Sequence, residues 1–347
     1  MNKFQHGGDV NSFAKQLKCK EKEIIDLSSN INFVKPKINI DFNKLDIKAY
    51  PKYEKLYKII SKQYSVKASE IELFNGGSNA IFTIFRHLNL KDCLIYSPAY
   101  LEYKKAVDIF SYKLKKINRL KNIYEEKKIK ENSLVVFVNP STPDGRYYNL
   151  EHLMKTWISK NCTIFIDESF LDFTQKESAI KYLESYDKLY ILKSMTKIYS
   201  SAGIRIGTII SSKENIKNIR KKEAMWKLSS FDMNYLIEAM KDKNFKQEST
   251  NKNSKNKRLL FKLLSKYLKE QSFIEKIYKS DANFFLVKLK KIDAKELQTK
   301  LLKYKILIRD CSNFDFLNSS FIRIAVKNKN SIKILKKAFK EIDKNVY

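Results

Sequence analysis

Short apolar runs alternate with helical periodicity through the middle of this chain, and that rhythm limits its possible folds more than any other feature. Cys93–Tyr96, Leu134–Val138, Thr163–Ile166, Leu189–Leu192 and Arg205–Ile210 are continuous β-rich runs, as expected of strands buried on both faces. Glu54–Tyr64, Asn79–Leu88 and Leu150–Ser159 carry helical spacing. Parallel strands need long crossovers, so the pattern predicts an α/β fold with a mostly parallel central sheet covered by helices. From about Ile216 to Lys269 the chain is Lys-rich and helical, and afterwards Phe284–Leu289 and Phe321–Val326 read as strands of a smaller α+β domain. The expected division is 1–48 as an N-terminal segment packing with the small domain and the active site, 49–235 as the large domain, and 236–347 as the small one.

The length and composition allow such a fold. The chain has 347 residues and is 43% hydrophobic, enough for a large core and too apolar for disorder. No run approaches about 18 apolar residues, so no membrane span is expected. The opening MNKFQHGGDVNSF lacks the apolar core of a signal peptide. Cys19, Cys93, Cys162 and Cys311 are far apart and form no CxxC pair, which argues against a disulfide framework or a metal site and for a reducing cytoplasm.

The net charge of +31 would ordinarily suggest nucleic acid. The cations are instead spread along the whole chain, and all but eight of the 69 are Lys. A nucleic-acid arm would be clustered and richer in Arg, which binds phosphate bidentately. No specific nucleic-acid partner is expected; an attraction for small anionic substrates fits better.

Glycine is scarce. Its seven occurrences in 347 residues are about 2%, against ~7% in ordinary proteins. The survivors fall in HGGDV, FNGGSNAI, NPSTPDG and SMTKIYSSAGIRIG, where a side chain is least affordable. The last segment carries the strongest chemistry. Lys197 follows a buried strand, with Ser194 three residues before it and Arg205 eight after. Alone, Lys197 is one lysine among many. Ser and Arg beside it suit a bound phosphate, and a Lys at a phosphate is what a Schiff base with pyridoxal phosphate requires.

Asp167 ends a predicted strand, at the sheet edge where open α/β folds bind ligands, and could pair with a pyridine nitrogen. Gly76, Gly77 and Ser78 immediately precede a helical stretch and can present backbone N–H groups to a phosphate. Tyr100 offers an aromatic face. Each has an ordinary reading too: a helix-capping Asp, a helix start, a core aromatic.

Order and spacing together resemble the fold-type I pyridoxal-phosphate enzymes of the class I/II aminotransferase superfamily. Within it, the chain most resembles the threonine-phosphate decarboxylases of cobalamin biosynthesis, close relatives of the histidinol-phosphate aminotransferases. The resemblance runs nearly end to end, through HGGDV, YPKY, NGGSNAIFTIF, SPAYLEY, NPSTPDG, IDESFLDF, SMTKIYSSAGIRIG, ILIRDC and FIRIAVK. It implies that the 49–235 domain binds pyridoxal 5'-phosphate, with Lys197 forming the internal aldimine and Asp167 on the pyridine nitrogen. Gly77, Ser78, Ser194 and Arg205 would hold the cofactor phosphate, Tyr100 would stack on the ring, and Tyr50 would reach the phosphate across a homodimer interface. Arg323 would bind the substrate carboxylate with Asn30 nearby, and His6 and Arg309 the substrate's own phosphate.

Three departures from the family pattern stand out. Thr142 replaces the Asn expected at the cofactor's 3'-oxygen, Phe170 replaces the usual Tyr, and Met225-Trp226 replaces a Met-Pro-Trp segment. The implied activity is decarboxylation of O-phospho-L-threonine to aminopropanol phosphate, or of O-phospho-L-serine to ethanolamine phosphate, through an external aldimine and a quinonoid. The two substrates differ by one methyl group, worth only about 1–3 kcal/mol of discrimination. The alternative is a histidinol-phosphate-type aminotransferase using 2-oxoglutarate and glutamate; a basic nucleic-acid-binding protein ranks below both.

Overall fold

A computed structural model describes residues 6–344. The chain forms two compact units, each from discontinuous stretches. The larger comprises Val34–Ser141 and Tyr148–Lys246; the smaller comprises the chain up to Phe33, Thr142–Tyr147 and the chain from Gln247. These limits differ from the sequence division at 48/49 and 235/236. The short Thr142–Tyr147 stretch belongs to the smaller unit because the Gly145 carbonyl accepts from the Asp281 and Ala282 N–H groups, at 2.7 and 3.0 Å.

The larger unit is built on seven strands: β1 (Ile71–Asn75), β2 (Asp92–Ser97), β3 (Lys113–Asn118), β4 (Leu134–Val138), β5 (Thr163–Asp167), β6 (Leu189–Ser194) and β7 (Ile206–Ser211). Their spatial order is β1-β7-β6-β5-β4-β2-β3. Only β7 runs against its neighbours; every other pairing is parallel. The predicted mostly parallel sheet is therefore present, and the five predicted strands in this region match β2 and β4–β7 within two residues.

The two strands without a sequence signal are the sheet's edges. In β3, lysines at 113, 115 and 116 break up the apolar pattern, a usual device on an edge. In β1, Glu72 interrupts the run although it is 2% exposed. Its carboxylate accepts from Arg220 Nε at 2.8 Å and pairs with Lys227. A buried carboxylate so matched is compatible with a core strand.

Helix Gly76–Leu88 follows β1 directly and buries Ala80, Ile81, Ile84 and Phe85. That spacing gives one apolar stripe, which packs in a core with Phe74, Ile95, Val136, Leu192 and Ile209. The helix ends at Asn89, whose left-handed backbone (φ 45°) lets its N–H return to the Phe85 carbonyl.

The smaller unit holds a four-stranded antiparallel sheet in the order Arg309–Asp310, Phe321–Ala325, Phe284–Leu289, Ile274–Ile277. Alternation along Phe321–Ala325 sends Ile322 and Ile324 into the core with Leu335, Phe339 and Ile342 of helix Lys329–Lys344. Arg323 therefore faces the opposite side. The N-terminal segment joins this unit through Ile25–Asp26, which pairs in parallel with Ile306–Leu307. All four cysteines are free thiols. Among the described residues no helix is long and apolar enough to cross a membrane.

Candidate active site

Strand direction assembles the first cluster, which lies wholly in the larger unit. Parallel strands β5 and β6 end at Asp167 and Ser194, while antiparallel β7 begins beside those ends. Gly207 pairs with both Ser194 and Phe74, and Ile206 pairs with Asn75. Arg205, Ser194 and the Gly76–Gly77 helix start are thereby brought to one place.

The packing there is close. A Cβ on Gly207 would come within 2.7 Å of the Gly76 carbonyl carbon and the Gly77 nitrogen. Gly76 has φ +82°, and a Cβ on it would lie 2.5 Å from the Arg205 guanidinium. On Gly77 the same atom would make only ordinary contact, 3.7 Å from Ser194. Gly76, absent from the cofactor contacts that the resemblance implies, is thus the sterically constrained member of the pair. The helix start has no side-chain cap, so its first N–H groups are available to an anion, with the exposed Arg205 guanidinium beside them.

Lys197 lies in the short helix Met195–Ile198 after β6, and its Nζ donates to Ser194 Oγ at 3.2 Å. The Phe170 ring centroid is 5.3 Å from that nitrogen, so the aromatic residue beside the amine carries no hydroxyl. Tyr100 OH lies 3.4 Å from Ser78 Oγ. Burial raises the Tyr100 phenol above its ordinary range, with the Ser78 contact acting against the shift.

Asp167 is 5% exposed and fully engaged. Its Oδ1 accepts from the Ser169 N–H (2.8 Å) and the Ser169 hydroxyl, and its Oδ2 from Tyr103 OH at 2.7 Å. Burial, and then the Asp167 charge, hold the Tyr103 phenol well above its usual range. It is therefore a donor to a fixed carboxylate. Neither Tyr103 nor Ser169 was singled out from the sequence, although Tyr103 follows Tyr100 by about one helical turn in SPAYLEY and Ser169 lies two residues past Asp167.

The second cluster lies wholly in the smaller unit. Arg309 and Arg323 are register partners on adjacent antiparallel strands, so their side chains share a face. Both are buried, at 4% and 8% exposure. Arg323 Nη1 donates to Thr142 Oγ1 (2.9 Å) and Nη2 to the Ser28 carbonyl (3.0 Å), while its buried Nε has no partner. Its two acceptors are neutral oxygens. Burial pushes its pKa down to about 10, with the nearby Arg309 charge adding to the fall. Arg309 donates to Asn313 Oδ1 at 2.7 Å and is likewise lowered, mainly by burial. Two desolvated guanidiniums on one face suit a ligand carrying two anionic groups.

The HGG segment docks on this cluster. Gly8 N–H donates to Ser28 Oγ (2.8 Å), which donates to Asp26 (2.6 Å). A Cβ on Gly7 would sit 2.4 Å from the Ser28 carbonyl oxygen that Arg323 uses. Asn30 is buried; its backbone carbonyl accepts from Asn283 Nδ2 at 3.0 Å, and its side-chain oxygen is unpartnered. His6 is exposed.

Thr142 and Tyr50 differ in setting from the rest. Thr142, expected from the resemblance at the cofactor's 3'-oxygen, is a hydrogen-bond partner of Arg323. Tyr50 is 69% exposed and stacks on Trp226, with ring centroids 4.0 Å apart.

The first cluster has the donor set that pyridoxal 5'-phosphate needs. It combines an amine, a buried carboxylate for the ring nitrogen, and a phosphate cradle at a helix start that a Cβ on Gly76 would fill.

The comparisons with known proteins agree with that fit. The family model for class I and II aminotransferases matches residues 20–339. An adenosylcobalamin biosynthesis bifunctional protein of Leptospira interrogans is 30% identical over 99% of this chain, although the chain spans only 41% of that protein's length. A provisionally assigned threonine-phosphate decarboxylase of Caldanaerobacter subterraneus is 30% identical over 95% of this chain and 91% of its own. The crystal structure of a histidinol-phosphate aminotransferase from Clostridium acetobutylicum has 30% identity and a TM-score of 0.81, covering 92% of this chain and 99% of that one. The chain belongs to the class I and II aminotransferase family, a fold-type I enzyme whose cofactor is pyridoxal 5'-phosphate.

Proposed function

We propose that this enzyme decarboxylates an O-phospho-L-amino acid, O-phospho-L-threonine or O-phospho-L-serine, to the phosphorylated amine. The observation that carries the reading is the buried pair Arg309 and Arg323, register-paired on one face. A phospho-amino acid has two anions to place at once, a carboxylate and a phosphate. Arg323 takes the carboxylate on Nε and the edge of its guanidinium, and Asn30 lies close to the same group. Arg309 takes the phosphate, with His6 closing on it from the N-terminal segment. Phosphoserine would give ethanolamine phosphate and phosphothreonine aminopropanol phosphate.

When bound, pyridoxal 5'-phosphate supplies an electron sink for the bond broken at Cα. Lys197 would hold the cofactor through Nζ and would be the group that carries a proton to the substrate Cα. Ser194, 3.2 Å from that nitrogen, orients it. Ser169 and Tyr103 fix both oxygens of Asp167, the carboxylate that would meet the ring nitrogen. Gly77, Ser78, Ser194 and Arg205 would hold the cofactor phosphate, and Tyr100 would cover the ring. Arg323 would decide the outcome by how it holds the substrate carboxylate. Phe170 supports decarboxylation over transamination, since it offers no hydroxyl beside Lys197.

The working form in this reading is a homodimer of a cytoplasmic enzyme. Tyr50 and Trp226 pair on an exposed face that also carries Met225 and Ile47, and Tyr50 reaches the cofactor phosphate of the other copy. A fully active monomer in solution would contradict this.

One assay separates the activities. Purified protein with pyridoxal 5'-phosphate is incubated with O-phospho-L-threonine or O-phospho-L-serine without any oxo acid, and carbon dioxide and amine are quantified. Release with either substrate is the expected result, and the preferred substrate sets the specificity. The second reading, a histidinol-phosphate aminotransferase, is favoured by the 30% identity to the Clostridium structure. It predicts no carbon dioxide and turnover of histidinol phosphate once 2-oxoglutarate is present.

A further inference from the structure

A second cavity, of about 430 Å³, opens on the smaller unit and shares no lining residue with the Arg309–Arg323 cluster. Its walls combine two kinds of surface. Phe261 and Phe285 give flat apolar faces, while Lys257, Arg258 and Lys279 bring three cations, with Ser254 and Ser280 between them. The cations differ in setting. Arg258 and Lys279 are exposed. Lys257 is partly buried, its Nζ donating to the Ser280 carbonyl at 2.7 Å and lying 5.6 Å from the Phe285 ring centroid. Aromatic walls with cations at the mouth suit a small flat ligand bearing an anionic group.

We propose that this cavity is a second ligand site, which takes a small aromatic aldehyde carrying a phosphate and holds it as an imine on Lys257. The Lys257 nitrogen attacks the carbonyl carbon and forms a C–N bond. The carbonyl oxygen departs as water with two protons from the amine, so no oxidant or reductant is required. Arg258 and Lys279 receive the phosphate, and Phe261 and Phe285 receive the ring. The environment favours the nucleophilic form of the amine: burial pulls Lys257 down to about 8, with only Asp281 acting against it.

The test uses the holoenzyme with its catalytic lysine already loaded. Further pyridoxal 5'-phosphate is added, adducts are reduced with borohydride, and labelled peptides are mapped. Lys257 should label at least ~10-fold faster than exposed neighbours such as Lys255 and Lys262, with a pH midpoint near the depressed pKa of about 8. Pyridoxal, which lacks the phosphate, should label Lys257 at least ~10-fold less well. That preference should vanish in the double variant Arg258→Ala, Lys279→Ala, both exposed positions at which folding should be unaffected. Lys257 labelling no faster than its exposed neighbours, or equally with pyridoxal, would overturn the proposal. Neither result depends on which reaction the enzyme catalyses.

Discussion

The two clusters of functional side chains are built by opposite physical strategies. The cofactor cluster of the larger unit uses short groups at chain ends. Helix N–H groups, serine hydroxyls and a carboxylate emerge where strands stop, and its arginine, Arg205, is exposed. The arginine cluster of the smaller unit buries long cations in the face of a sheet, opposite neutral acceptors. The first costs little without a ligand, because its buried carboxylate and hydroxyls are hydrogen-bonded within the cluster and Arg205 is exposed. The second desolvates two guanidiniums, a cost that an incoming dianion relieves. Cofactor affinity should therefore depend on steric fit, and substrate affinity on charge.

Five substitutions test this contrast. The largest effect should come from Lys197→Ala, which removes the amine and lowers turnover by ~10⁴-fold or more, with loss of the visible absorbance of the bound cofactor. Retention of that band would show that another group holds the cofactor.

Next is Arg323→Met. Removing one side of a buried charge interaction costs on the order of 3 kcal/mol, so kcat/KM should fall ~10²-fold. Thermal stabilisation by O-phospho-L-serine should fall sharply and that by inorganic phosphate little, while cofactor affinity changes little. A matching loss of cofactor affinity would break the separation of roles.

The glycine pair gives a sharper, smaller test. Gly76→Ala forces a side chain into the left-handed region and against Arg205, so it should weaken cofactor binding by ~10-fold, from about 1–2 kcal/mol of strain. Gly77→Ala meets only ordinary contacts and should change the dissociation constant less than ~3-fold. Equal effects would mean that the loss of conformational freedom, and not the collision, dominates.

Tyr103→Phe should fall between the two glycine substitutions in effect. It deletes one hydrogen bond to Asp167, about 1 kcal/mol, and should weaken cofactor binding ~5-fold while shifting the pH at which the bound cofactor's absorbance changes. A Tyr103 that only fills the core would leave that pH unchanged.

Much of the cofactor cluster was legible in the sequence because its parts are local in the chain. Ser194, Lys197 and Arg205 fall within twelve residues, and Asp167 ends a recognisable apolar run. The particular constraint on Gly76 and the contact made by Tyr103 were not legible, for a shared reason. Each is constrained by a residue far along the chain, Arg205 for Gly76 and Asp167 for Tyr103, and no local pattern reports a collision or hydrogen bond at that range. The edge strands β1 and β3 escaped notice because an edge need not be apolar on both faces, and Glu72 hides in the core only with Arg220 and Lys227 beside it.

By itself the sequence determined the alternation of strands and helices, which is written in contiguous apolar periods, and, through resemblance to known enzymes, the family and its cofactor. Tertiary structure alone decided that β7 runs antiparallel and so carries Arg205 to the helix start at Gly76. It also decided that Arg309 and Arg323 face the same way, and that the Thr142–Tyr147 loop joins the smaller unit. Strand direction and register are set by burial summed over whole sheets. A one-residue slip would turn Arg323 into the apolar core and Ile322 out of it, and only the folded chain registers that difference.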